Sequence, residues 1–119
     1  MADWSDFEVT LTRGDTHQFR VQVKRGTTVE PIGDWTAFAL TARQYWTDTA
    51  AVFSCALGTG IAVVDASQGI IEIEIPSSAT SGLRNERHRL FADIQGKDED
   101  SKIWTLMRGT VHVLPEVTL

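Results

Sequence analysis

The sequence predicts an all-β domain, an antiparallel β-sandwich or small barrel of about eight strands. Three observations carry this. Thr, Val and Ile supply 32 of 119 residues, and β-branched side chains suit a pleated, half-buried surface. Apolar and polar residues alternate with period two over most of the chain. Turn signals recur about every dozen residues, and no long helical pattern separates them.

Phe7, Val9 and Leu11 alternate with Glu8, Thr10 and Thr12. After Arg13-Gly14-Asp15, the residues His17, Phe19, Val21 and Val23 alternate with Gln18, Arg20, Gln22 and Lys24. These two runs read as strands with one wet face each. Arg25 to Thr28 is a turn, and Pro31 confines Val29 to Ile32 to an edge or loop. Trp35 to Trp46 is apolar on both parities, which predicts a central strand covered on both faces. Ala51–Leu57 and Ile61–Asp65 are further strands, closed by Gly58-Thr59-Gly60 and Ala66-Ser67-Gln68-Gly69. Ile71, Ile73 and Ile75 against Glu72 and Glu74 form the clearest half-buried strand, which Pro76 ends. Ser77 to Gly82 suits one helical turn. His88, Leu90, Ala92 and Ile94 then alternate with Arg89, Phe91 and Asp93. Gly96 to Asp100 is a charged loop, and Ile103–Leu114 is the last strand, with a bulge expected at Gly109.

The length suits one domain over residues 1–119. Hydrophobic residues make up 42% and charged residues 23%, too apolar for a disordered chain. No apolar run approaches the ~18–20 residues of a membrane-spanning helix. The acidic start Met1–Asp6 lacks the pattern of a secretory signal. A net charge of −5 argues against nucleic acid or an anionic membrane as partner. The lone Cys55 excludes an internal disulfide.

Chemical motifs are sparse. His17, His88 and His112 fall on three strands without ligand spacing, so no metal site is expected. Cys55, inside Val52–Leu57, reads as a core thiol. No nucleophile elbow or phosphate-cradling glycine loop is present, and Glu72 and Glu74 read as a solvated strand face. No catalytic residue, metal or cofactor is therefore expected, and the chain is not expected to be an enzyme. Arg13-Gly14-Asp15 spells an adhesion tripeptide, but a strand connection suffices to explain it. Arg84, Arg87 and Arg89 form a basic cluster, and Lys97 to Asp100 forms a charged tip; both read as solvated. Trp35 and Trp104 read as core. Tyr45 and Trp46, at a strand end beside a polar loop, are the best exposed aromatics for a partner interface. Both ends also carry apolar residues, Trp4 and Phe7 at one and Val117 and Leu119 at the other. These six residues are the expected partner interface. Removing residues 1–6 or 115–119 is expected to spare the core and leave stability nearly unchanged.

The order of pieces resembles a known group. Thr12–Thr16 leads into an alternating strand; Gly33-Asp34-Trp35 opens a longer one that ends near Ala42-Arg43; Gly60-Ile61, Asp65 and Gly69 lead to Ile70–Ile75. Ser77 to Ser81 follows, then Leu90–Ile94 with Trp104–Val111, and the close Pro115–Thr118. This is similar to small β-sandwich proteins of tailed-bacteriophage virions, including the N-terminal domain of baseplate upper proteins. The resemblance implies an all-β, antiparallel immunoglobulin-like β-sandwich. It also implies a non-enzymatic virion component, an adaptor in the tail, neck or baseplate or for fibre attachment. Its partners would be other virion proteins, met in multiple copies. The chain stops at Leu119, without the long fibre-bearing region of the baseplate upper proteins. The alternative reading is a module binding carbohydrate or a host surface through exposed aromatics.

Overall fold

The computed structural model describes residues 5–117, with side chains from Phe7 onward. The fold is all-β. Its elements in chain order are β1 (Ser5–Thr12), β2 (His17–Gln22), β3 (Lys24–Arg25), β4 (Thr28–Val29), β5 (Ala37–Arg43), β6 (Phe53–Leu57), β7 (Gly60–Asp65), β8 (Ile70–Ile75), α1 (Ser78–Ser81), β9 (His88–Lys97) and β10 (Ile103–Leu114).

Eight strands join in one mostly closed, barrel-like sheet in the order β1-β10-β9-β5-β6-β7-β8-β2, and β3 and β4 form a separate small hairpin. The sheet is not antiparallel throughout. β1 runs parallel to β10 over its whole length, from Ser5 opposite Met107 to Thr12 opposite Leu114. β6 meets β7 in parallel over only two residue pairs, Ala56 with Gly60 and Leu57 with Ile61. Alternation fixes which face a residue takes but says nothing of strand direction.

The inward residues fill one core. β8 contributes Ile71, Ile73 and Ile75, β9 Leu90, Ala92 and Ile94, and β10 Val111 and Val113, each at most 1% exposed. Full burial of the Ile, Leu and Val side chains among them stabilises the fold by roughly 1.5–3 kcal/mol apiece. β5 places Phe38, Leu40 and Ala42 inward and leaves Ala37, Ala39, Thr41 and Arg43 half-buried. It is thus a central strand with one buried face, and the apolar character of its other parity comes from small alanines. The strand ends at Arg43, where the resemblance places it, and short of the apolar run's end at Trp46. Trp35 is core, its ring stacked on Phe38 at 5.6 Å.

Three local expectations change. The last strand's irregularity lies between Thr105 and Met107, not at Gly109. Gly109 instead lets β1 come close, because a Cβ there would strike the Phe7 carbonyl. Trp104 is half-buried, not core, and its indole N–H donates to the Asp98 carboxylate at 2.9 Å. Asp98 is itself buried, at the mouth of the loop expected to be solvated. Its Oδ1 accepts the Asp100 and Lys102 N–H groups at 2.9 Å each. Together these donors hold the Asp98 carboxyl below its ordinary range, the Trp104 bond contributing most.

The C-terminal segment is part of the domain's framework. Arg13 donates to the Ser81 and Leu83 carbonyls at 2.7 Å each and pairs with Glu116 at 3.3 Å. Asn85 accepts the Glu116 N–H at 2.7 Å and donates back to its carbonyl at 3.2 Å. Removal of residues 115–119, expected to leave stability nearly unchanged, would break the Arg13 ion pair and both Asn85 bonds.

Candidate functional site

Strand register assembles a cluster on the outer face of β5, β9, β10 and β1. One row across the sheet holds Arg43, Phe91, Thr110 and Glu8, and the next holds Thr41, Asp93 and Arg108. The loop after β5 turns at Tyr45, whose carbonyl accepts the Asp48 N–H at 3.1 Å, and returns where the Val52 N–H reaches Ala42 at 2.7 Å. That loop brings Trp46 onto the strand face. The Trp46 ring lies 5.0 Å from Phe91, tilted by 38°. The Arg108 guanidinium sits 4.4 Å from the centre of the Trp46 ring, and the Arg89 guanidinium 5.3 Å from that of Phe91. The result is a ladder of Arg108, Trp46, Phe91 and Arg89. Each cation–ring contact at a surface is worth about 0.5–1 kcal/mol.

Beside the ladder lies an open cleft of about 510 Å³, lined by Phe7, Glu8, Trp46, Phe91, Arg108 and Thr110. Glu8 faces His112 at 3.6 Å. The Nε of Arg43 is buried without a hydrogen-bond partner, a state that costs about 1–3 kcal/mol.

The expected interface residues are divided by this geometry. Trp46 stands in the ladder and remains 44% exposed; Tyr45 beside it is 65% exposed. Phe7 is half-buried, packs against the core and borders the cleft. Val117 is 98% exposed but lies past the end of β10, on neither row of the cluster. Trp4 and Leu119 lie outside the described residues. Arg89, Phe91 and Arg108 are not among the expected interface residues, although Arg89 reads as solvated in the sequence. The parity of Arg89 and Phe91 was legible, but their meeting with Arg108 depends on the β9–β10 register.

The remaining motifs have structural partners. Gly14 has φ +82° and its N–H donates to the Thr80 hydroxyl at 2.9 Å, while Arg13 is held in the clamp. The Arg13-Gly14-Asp15 sequence thus forms a pinned turn. Cys55 is buried, burial pushes its thiol pKa up, and its Sγ lies 3.6 Å from the Glu74 carbonyl. Glu72 pairs with Arg20 at 3.1 Å, and Glu74 accepts from Gln18 at 2.6 Å. Among the described residues, no three metal-ligating side chains come together.

No protein-family model matches the chain, and no curated protein matches it.

Proposed function

We propose that the chain is a non-enzymatic structural component of a tailed-bacteriophage virion, an adaptor in the tail, neck or baseplate or for fibre attachment. It acts by protein–protein contact with other virion proteins. The observation that carries the contact reading is the ladder of Arg108, Trp46, Phe91 and Arg89 on an otherwise polar strand face. Trp, Tyr and Arg are the residues that most often dominate binding energy at protein interfaces, because they offer large area and directed donors at low entropic cost. Here register and a loop present them together.

The strand pairing supports an immunoglobulin-like reading of the fold. The junction of β6 with β7 is two pairs long. Divided there and between β1 and β2, the ring becomes two layers, β1-β10-β9-β5-β6 and β7-β8-β2, which share one core of the β8 isoleucines with Leu90, Ile94 and Val111. A first strand parallel to the last suits such a sandwich. The virion assignment itself rests on the order of strand and turn motifs from Thr12 to Thr118.

The experiment is antibody labelling of purified particles from cells in which the chain is expressed with its phage. The expected result is co-purification and decoration at one fixed place on the tail or neck. Absence of the protein from purified particles overturns the virion reading.

The carbohydrate alternative is supported by Tyr45, the more exposed aromatic. It is weakened at Trp46, where the Arg108 guanidinium occupies a ring face that a sugar would need. Glycan-array binding lost in Trp46→Ala would favour it.

A further inference from the structure

The barrel is not sealed between its first two strands. β1 and β2 are the two ends of the sheet order, β1 bonded to β10 alone and β2 to β8 alone. The turn between them pins one end of this seam, where the Asp15 N–H donates to the Thr12 carbonyl at 3.0 Å. At its other end the seam opens into a cleft of about 370 Å³. The apolar lining is Val21, Val23 and Leu106, all buried, with Phe7 and Met107 half-buried.

Both walls of the seam present main chain. The Val23 N–H donates to the Gly69 carbonyl at 2.7 Å, continuing the β2–β8 ladder. Main-chain groups alternate in direction along an antiparallel strand. Val21, Phe19 and His17 therefore face β8, and Gln22, Arg20 and Gln18 turn their N–H and C=O groups into the seam. On the opposite wall the Arg13 N–H reaches the Leu114 carbonyl at 2.9 Å, so the same alternation turns Thr10 and Glu8 away from β10. A row of unpaired main-chain groups is a template for another strand. The charged residues lining the cleft are Arg20 and Lys24, with no carboxylate among the described lining residues, although the chain carries a net charge of −5. Arg20 is bonded to Glu72 at 3.1 Å. Lys24 is exposed and in no ion pair among the described residues.

We infer that the β1–β2 seam takes an extended segment of another protein, apolar at alternate positions and acidic where it passes Lys24. The segment pairs with the free edge of β2 as a further strand of the sheet. Its main chain supplies affinity, and the apolar lining selects its alternate side chains. Its carboxylate meets the Lys24 ammonium at the rim. Phe7 borders both this cleft and that of the ladder, but binding in the seam needs neither Trp46 nor Arg89. The inference goes beyond the virion reading and does not rest on it.

The test is a titration of the isotope-labelled full chain with the peptide acetyl-Glu-Val-Thr-Val-Glu-Val-Thr-amide, read by amide chemical shifts up to about 2 mM peptide. Saturable shifts are expected at Gln18, Arg20, Gln22 and Phe7, with a Kd of about 0.1–1 mM. Gln22→Pro removes an N–H that faces the seam and spares the β8 ladder, as edge prolines do; Gln22→Ala keeps that N–H. Both variants lose the Gln22 side-chain bond to the Gln68 carbonyl, so their difference isolates the main-chain group. Once melting shows that both fold, proline is expected to weaken binding about tenfold relative to alanine. Two peptides N-methylated on alternate amides test the same point without altering the protein. The one whose methyl groups face β2 is expected to lose binding. A peptide with lysine in place of glutamate is expected to bind more weakly, and Trp46→Ala to bind like wild type.

No saturable shift at the seam amides overturns the inference, as does equal binding by the unmodified and both N-methylated peptides. Equal binding of the lysine peptide overturns the acidic character of the occupant. Shifts confined to Trp46 and Arg89 place the peptide on the ladder and overturn the seam. Slow exchange of the Gln18, Arg20 and Gln22 amides in the peptide-free chain means that the protein fills its own seam, which overturns the inference too. Particle labelling, not this titration, decides the virion reading, so the two fail separately.

Discussion

Arg13 and Glu116 meet at 3.3 Å, so the turn after the first strand grips the segment that follows the last. The pair is mostly shielded, with side chains 20% and 24% exposed. Glu116→Ala should therefore lower stability by about 1 kcal/mol in a denaturant melt. Truncation after Pro115 also removes both Asn85 bonds and should cost about 2 kcal/mol. Asp15→Glu, which leaves the clamp untouched, should melt with wild type. A truncated chain as stable as wild type would mean that the clamp contributes nothing.

Ile73 is fully buried on β8, while its neighbour Glu72 is half-buried in an ion pair with Arg20. Ile73→Ala should cost about 2–4 kcal/mol through lost burial and a cavity. Glu72→Ala should cost less than about 1 kcal/mol. Equal losses would contradict the facing of this strand.

Gly109 and Gly82 give a matched pair. A Cβ at Gly109 would meet the Phe7 carbonyl, whereas nothing lies within 4 Å of one at Gly82. Gly109→Ala should push β1 off β10 and destabilise by about 1–3 kcal/mol. Gly82 has φ −80°, so Gly82→Ala should be neutral or raise the melting temperature slightly. Hydrogen exchange at the β1 amides would locate the damage of the first variant.

The Asp98 carboxyl is held below its ordinary range by Trp104 and by the Lys102 and Asp100 amides. A depressed folded-state pKa stabilises at pH above the unfolded value, about 3.9, and that advantage fades as pH falls through the folded value. Asp98→Asn cannot titrate. The melting-temperature gap between wild type and Asp98→Asn should be full at pH 6 and shrink below about pH 4. A gap unchanged down to pH 2 would exclude ionised Asp98 as its source.

Period-two patterning made the strands legible, because a residue's face is a local property. It placed Ile71, Ile73 and Ile75 inward and Arg89 and Phe91 outward. It failed where a residue's neighbours come from elsewhere in the chain. Asp98 looked solvated because its acidic loop is polar, yet Trp104 and two amides fold around its carboxylate. Gly109 looked like a bulge because the reason for its small size is Phe7, on a distant strand. The ladder was half legible for the same reason. Trp46 could be picked out as an exposed aromatic, but Arg108 joins it only through the loop after β5 and the pairing of β9 with β10.

The parallel pairing of β1 with β10 sets a timetable for synthesis. The first strand of this domain has as its hydrogen-bonding neighbour the one that follows all its other described strands in the chain. Until Ile103–Leu114 emerges, Val9 and Leu11 lack the surface against which they are buried, and both edges of β1 are open to foreign strands. β1 therefore stays unpaired while the residues between Thr12 and Ile103 are made. Pairing waits for β10, and a premature stop before that strand leaves the edge of β1 exposed for good.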